Sequence, residues 1–213
     1  MRITYIVQHF HLPTEDGGTR AWEFARRLAA EGHEVTMIGA GTVSRTFYER
    51  GFKVVLLPVS YSNSMGTFRR IVSFLHFMVS ATRVAVATPA DVVLSSSTPL
   101  TVAVPGIVAA IVRRAAFVLE VRDLWPEVPI ALGVLPSKAT QFLARTLEVV
   151  AYARASRIIA LSPGMREGVL RVRPSAHVTV IPNACDREVF DISEADRLAF
   201  RRANGARARL VTP

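Results

Sequence analysis

Short apolar, β-branched runs alternate with longer segments of helical period along most of the chain. A chain patterned this way folds as a parallel sheet with helices on both faces. The runs predict strands at 3–7, 35–39, 53–57, 91–95, 116–121, 157–161 and 178–182. The expected fold class is therefore α/β, a doubly wound parallel sheet of about seven strands. Helices are expected at 67–86, 101–113, 137–154, 163–172 and 194–204, after a well-defined first helix. In that helix Ala21, Phe24, Ala25, Leu28 and Ala29 recur at helical spacing and predict its buried stripe, and Gly32 supplies the stop. At 213 residues the chain has room for one large α/β domain and too little for two.

Composition removes several function classes. Half of the residues are hydrophobic, which excludes a disordered chain, and the single cysteine, Cys185, leaves no disulfide framework and fits a reducing compartment. Residues 1–8 form too short an apolar run for a signal peptide, because Gln8, His9 and His11 follow at once. The weakly polar stretch 99–112 is too short to span a bilayer and predicts a buried helix. The net charge of +9 is almost all arginine, since Lys53 and Lys138 are the only lysines. Coding composition accounts for that as readily as phosphate binding does, and no zinc-finger or aromatic RNA-binding motif is present, so nucleic acid is not the expected partner.

A doubly wound sheet binds ligands beyond the carboxyl ends of its strands. Five segments fall there: 14–20, 95–99, 122–127, 162–164 and 182–186. Gly17-Gly18 immediately precedes the first helix, so bare backbone N–H groups and a helix N-terminus can meet a phosphate with Arg20 beside them. Two glycines that merely let the chain turn are the alternative, and the position after the first strand favours phosphate. The dinucleotide spacing G-x-G-x-x-G is missing there, and no acidic residue ends the second strand, which argues against an NAD-dependent enzyme. Asp123 and Glu127 invite comparison with a glycosidase carboxylate pair, but Pro126 between them predicts an irregular turn whose spacing cannot be computed. A charged Arg122-Asp123 pair beside Trp125-Pro126, directly after a buried strand, favours a site role. His9 and His11 lack a third metal ligand, and G-x-S-x-G is absent. The helix over 67–86 places Arg69, Ser73, His76, Ser80 and Arg83 on one narrow face with apolar residues around the rest. Such a helix suits core packing, or docking on an anionic membrane or a lipid-linked ligand.

Gly17-Gly18-Thr19-Arg20 before a helix that leads to Gly32-His33-Glu34-Val35, then Arg122-Asp123-Leu124-Trp125-Pro126-Glu127, Ile159-Ala160-Leu161-Ser162 and Ile181-Pro182-Asn183-Ala184-Cys185-Asp186 to Phe190 together resemble glycosyltransferase family 4. Within it the likeness is greatest to bacterial enzymes that add amino sugars during surface-polysaccharide assembly. The resemblance implies the GT-B architecture, with two Rossmann-like domains facing each other across a cleft, the N-terminal one binding acceptor and the C-terminal one the nucleotide-sugar. It also implies a retaining transfer without metal or other cofactor. Carried over by position, Gly17 and Gly18 would touch the donor phosphate, and Asp123 is the candidate catalytic residue. Arg20, Thr98, Arg122, Glu127 and Asn183 would contact acceptor or sugar.

Residues 1–190 are thus expected to form a GT-B N-terminal domain, and 191–213 a connector helix and the start of a donor-binding domain that the sequence does not contain. The expected function is the N-terminal half of a retaining transferase that moves a sugar onto a lipid-linked saccharide and is inactive alone. The expected setting is the cytoplasm, peripheral on the inner face of the membrane, with a C-terminal-half polypeptide as partner. A non-catalytic acceptor-binding or scaffold module and a nucleotide-sugar epimerase-like fragment are the alternatives.

Overall fold

The computed structural model describes residues 1–15, 17–60, 65–97, 99–131, 133, 135, 137–184 and 193–203. Its order is β1 (Arg2–Ile6), α1 (Arg20–Ala30), β2 (Glu34–Gly41), β3 (Arg45–Glu49), β4 (Phe52–Pro58), α2 (Thr67–Ala87), β5 (Val92–Ser97), a 3-10 turn (Leu100–Val102), α3 (Ala103–Arg113), β6 (Ala116–Val121), α4 (Glu127–Ala131), α5 (Lys138–Arg154), β7 (Arg157–Ala160), α6 (Pro163–Val172), β8 (Val178–Val180) and α7 (Glu194–Ala203). It divides into two compact units, Met1–Pro182 and Asn183–Pro213.

The first unit is the expected doubly wound α/β sheet. Its strand order is β3-β4-β2-β1-β5-β6-β7-β8, and every pairing is parallel except β3 with β4. The order reverses between β1 and β5, which opens a crevice at their carboxyl ends. Eight strands replace the seven expected, because β3 forms a hairpin with β4. Arg50 and Gly51 turn that hairpin with φ of 44° and 88°, the two positive φ values that a tight two-residue turn requires.

Successive strand residues face opposite sides, so the sheet carries two cores. Ile6, Ile38, Val93, Leu119 and Ile158 pack beneath α2, α3, α5 and α6, whereas Tyr5, Val7, Val35, Met37 and Leu94 pack against α1 alone. One helix cannot cover eight strands. The face beside α1 retains an open apolar groove of about 380 Å³, lined by Ile3, Phe24, Leu28, Leu94, Val118 and Ile159. The stripe expected on α1 shifts for the same reason: Ala21, Trp22 and Ala25 are buried, and Phe24 and Leu28 turn toward the groove. Gly32 ends α1 in the left-handed region, at φ 82°.

The face assignment of α2 needs correction. Ser73, expected on the polar stripe, is buried and donates its hydroxyl to the Ser60 carbonyl at 2.5 Å, in line with Phe77, Ala81 and Ala85. Small residues let this stripe approach the sheet closely, so the bulkier Ile71, Val72, Leu75 and Val79 turn outward. Among the described residues α2 is the one helix long and apolar enough to cross a membrane, yet its Phe77 stripe sits in the core of the domain. The second unit contains α7, whose N-cap Ser193 accepts from the Asp196 N–H at 3.1 Å.

Candidate functional site

Glu120 is a carboxylate inside a strand, nearly sealed from solvent at 1% exposure. Isolated, it would be costly to bury. Three donors converge on it: the Arg20 guanidinium Nε at 2.8 Å, the Ser96 hydroxyl at 2.5 Å and the Tyr5 hydroxyl at 3.3 Å. Burial and the neighbouring Glu120 charge push the Tyr5 hydroxyl well above its ordinary range, so it keeps its proton and donates.

Arg20 also donates from Nη1 to the Pro182 carbonyl and from Nη2 to the Ile181 carbonyl, at 2.8 and 2.7 Å, and stacks over Phe24. The first residue of α1 thereby ties together β1, β5, β6 and the segment after β8. The guanidinium expected to meet a ligand is spent on this knot. The sequence placed Ser96 in the candidate segment 95–99 without its partner and missed Glu120, although a lone carboxylate within the apolar run Phe117-Val118-Leu119-Glu120-Val121 signals a buried partner.

Around the knot the loop after β1 folds over the carboxyl edge of the sheet. Gly17 adopts φ 149°, and a methyl group there would stand 2.5 Å from the His11 ring. A β-carbon on Gly18 would stand 3.9 Å from Arg122 Nη2, so the loop and the residue following β6 face each other. Arg122 is held by its backbone N–H on the Ser97 hydroxyl at 3.0 Å. Its Nε is buried without a hydrogen-bond partner among the described residues, as are both amide atoms of Gln8, just beyond β1. Thr19, the N-cap of α1, makes no side-chain cap bond, and among the described residues no side chain caps the first N–H groups of that helix.

Burial, then His11 and Arg122, lower His9 to about 4, so it is neutral at pH 7. The site thus combines Gly17-Gly18 backbone, a helix N-terminus, a neutral imidazole and one guanidinium with an unused buried donor. Those groups have the chemistry to meet an anion.

The structure brings together Gly17, Gly18, Arg20 and Arg122. Asp123 is exposed at the start of the loop after β6, and Glu127 is exposed at the start of α4, a short helix where an irregular turn was expected. Glu127 on α4 adds a small upward push to the carboxyl of Glu148 on α5. Asn183 is exposed and opens the second unit, and Thr98 lies outside the described residues. No group of three His, Cys, Asp or Glu gathers among the described residues.

Residues 17–184 match the family model described as "Glycosyl transferase 4-like domain". Among solved structures, sucrose-phosphate synthase from Thermosynechococcus elongatus is 17% identical with a TM-score of 0.66, over 94% of this chain and 52% of that one. HepE from Anabaena, in complex with UDP and glucose, is 17% identical with a TM-score of 0.57, over 96% and 50%. UGT89C1 from Arabidopsis thaliana, complexed with quercetin, is 11% identical with a TM-score of 0.51, over 95% and 55%. The chain spans about half the length of these proteins. No curated protein sequence matches it.

Proposed function

Because the chain belongs to the glycosyl transferase 4-like domain family, we propose that its GT-B-type domain forms one wall of a site that transfers sugar from a nucleotide-sugar to a saccharide acceptor. In that reaction the bond from the anomeric carbon to the phosphate oxygen breaks, and its electron pair leaves with the nucleoside diphosphate. The acceptor hydroxyl forms the new bond to carbon and loses its proton. Charge therefore grows on the departing phosphate, and fixed donors aimed at it lower the barrier.

The observation that carries this reading is the Nε of Arg122, buried and without a hydrogen-bond partner among the described residues, whose Nη2 faces Gly18 beside the N-terminus of α1. Gly17, Gly18 and Arg122 hold the phosphate in this proposal, and Arg20 positions them through Glu120. Asp123 and Glu127, exposed on the loop after β6, take acceptor or sugar contacts. HepE, a neighbour in fold, was solved with UDP and glucose, which supports a nucleotide-sugar donor. Retention of anomeric configuration, a lipid-linked acceptor and a role in surface-polysaccharide synthesis complete the reading. A separate C-terminal-half polypeptide would supply the opposite wall and could rest a helix on the apolar groove beside α1.

Calorimetric titration with UDP tests the anion site. The chain should bind UDP weakly, and Arg122→Met should weaken binding roughly tenfold, the worth of one charge-assisted contact, without lowering the melting temperature. Absence of UDP binding, or equal binding by Arg122→Met, overturns the assignment.

A further inference from the structure

Three helices on one face of the sheet combine basic side chains with large exposed apolar ones. On the side of α1, arginines meet acids: Arg20 pairs with Glu120, and Arg26 and Arg27 pair with Glu23. The opposite layer differs. α2 and α3 contain no acidic residue and carry Arg69, Arg70, Arg83 and Arg113. α5 adds Lys138, Arg145 and Arg154 against Glu148 alone, and Glu148 is buried. These helices share one core, with Phe77, Ala110 and Tyr152 packed in it, and Arg113 Nε donates to the Val86 carbonyl at 2.6 Å to join α3 to α2.

The same layer exposes large aliphatic and aromatic side chains. Leu75 and Val79 on α2, Ile111 and Val112 on α3, and Phe142 and Leu143 on α5 are all 45% exposed or more. Exposed apolar surface on this scale marks an interaction site. Two properties select its occupant. The outward charge on α2, α3 and α5 is positive, while α6 beside them mixes Glu167 with Arg166 and Arg171, and the exposed apolar residues are mostly aliphatic, with no exposed Trp or Tyr among them of the kind that anchors protein partners. Aliphatic side chains ringed by arginine are what the headgroup boundary of an anionic bilayer accepts.

We propose that the α2–α3–α5 layer docks this domain flat on an anionic phospholipid bilayer, with Leu75, Val79, Ile111 and Phe142 in the headgroup boundary and Arg69, Arg83 and Arg145 on lipid phosphates. Docking is independent of the sugar-transfer reading, because it needs neither donor nor acceptor.

The test is co-sedimentation of the full chain with phosphatidylglycerol–phosphatidylcholine vesicles, against pure phosphatidylcholine vesicles. The chain should sediment with the anionic vesicles only and should be released by high salt. Arg83→Glu should weaken binding roughly thirtyfold, two charge units at the surface. Leu75→Asn/Val79→Asn should weaken it at least roughly tenfold through lost apolar insertion. Arg27→Glu, on the opposite face, should bind like the parent chain. Circular dichroism melting confirms that each variant is folded. Failure to bind, equal binding to neutral vesicles, or unchanged binding by both α2 variants overturns the proposal. So does a self-associated parent chain that Leu75→Asn/Val79→Asn converts to monomer without any vesicle binding, because the face is then a protein interface.

Discussion

Arg20 Nε donates to Glu120 Oε1 at 2.8 Å across a sequence separation of 100 residues, with side-chain exposures of 11% and 1%. The pair brings the first residue of α1 to the end of β6, and its remaining donors hold Ile181 and Pro182. The carboxyl edge of the sheet, where the proposed anion site lies, is assembled around it.

Removing one member of such a pair leaves the other buried and unpaired, which costs about 3–5 kcal/mol. Glu120→Ala should therefore lower urea-unfolding stability by that amount. Arg20→Lys retains the charge and loses the fork that reaches two carbonyls, so it should cost about 1–2 kcal/mol. Equal stability of Glu120→Ala and the parent chain would remove the pair from its organising place.

Gly17 and Gly18 should behave differently under the same substitution. Alanine at Gly17 must adopt φ 149° and meets the His11 ring at 2.5 Å, so Gly17→Ala should lose about 1–3 kcal/mol of stability. Alanine at Gly18 meets Arg122 Nη2 at 3.9 Å, an ordinary contact. Gly18→Ala should keep stability within about 0.5 kcal/mol and weaken UDP binding several-fold by blocking the backbone. Thermal melts together with UDP titration separate the two. A Gly18→Ala variant that binds UDP unchanged counts against a backbone contact to phosphate.

The order of strands and helices was legible because a period of two or of 3.6 records which face is buried. It was not legible which buried face each helix would meet. On α1, Phe24 and Leu28 satisfy the helical period as well as Trp22 does, and only the bare sheet beside them shows why they line a groove. On α2 nearly every position is apolar, so small Ser73, Ala81 and Ala85 set the register through close approach, which hydrophobicity alone does not encode. β3 escaped notice because an edge strand with Arg45 and Glu49 at its ends has little to bury. Gly17, Gly18 and Arg122 were singled out from their place after strands, and the fold brings Gly18 and Arg122 face to face. The duty of Arg20 was not legible, because Glu120 lies 100 residues away and its pairing is a property of the closed sheet.

Gly106 should resist substitution despite sitting inside α3, where alanine gains about 1 kcal/mol of helix propensity. A methyl group there runs into the Ser95 hydroxyl and stands 2.5 Å from Phe117 Cε2, where α3 crosses β5 and β6. Overpacking of about 1–3 kcal/mol outweighs the propensity gain, so Gly106→Ala should melt lower. Phe117→Leu should recover part of the loss in the double variant, as contacting sites couple. A Gly106→Ala protein more stable than its parent would show that α3 can shift outward freely.

Glu148 should make stability fall as pH rises. Burial raises its carboxyl from about 4.5 to about 7, against the opposing effects of the Tyr152 hydrogen bond and Arg145. Below about 4.5 the carboxyl is protonated in both folded and unfolded chains, and its contribution is intact. Between about 4.5 and 7 the unfolded chain releases the proton while the folded chain keeps it, so stability declines. Above 7 both forms are ionised, and the penalty of the buried charge stays constant. Glu148→Gln never ionises and still accepts the Tyr152 hydroxyl. It should match the parent chain near pH 4 and exceed it at pH 8 by on the order of 2 kcal/mol, read as a gap between urea midpoints that opens through this window. A gap of equal size at both pH values would mean that shape, not ionisation, decides the fit of residue 148.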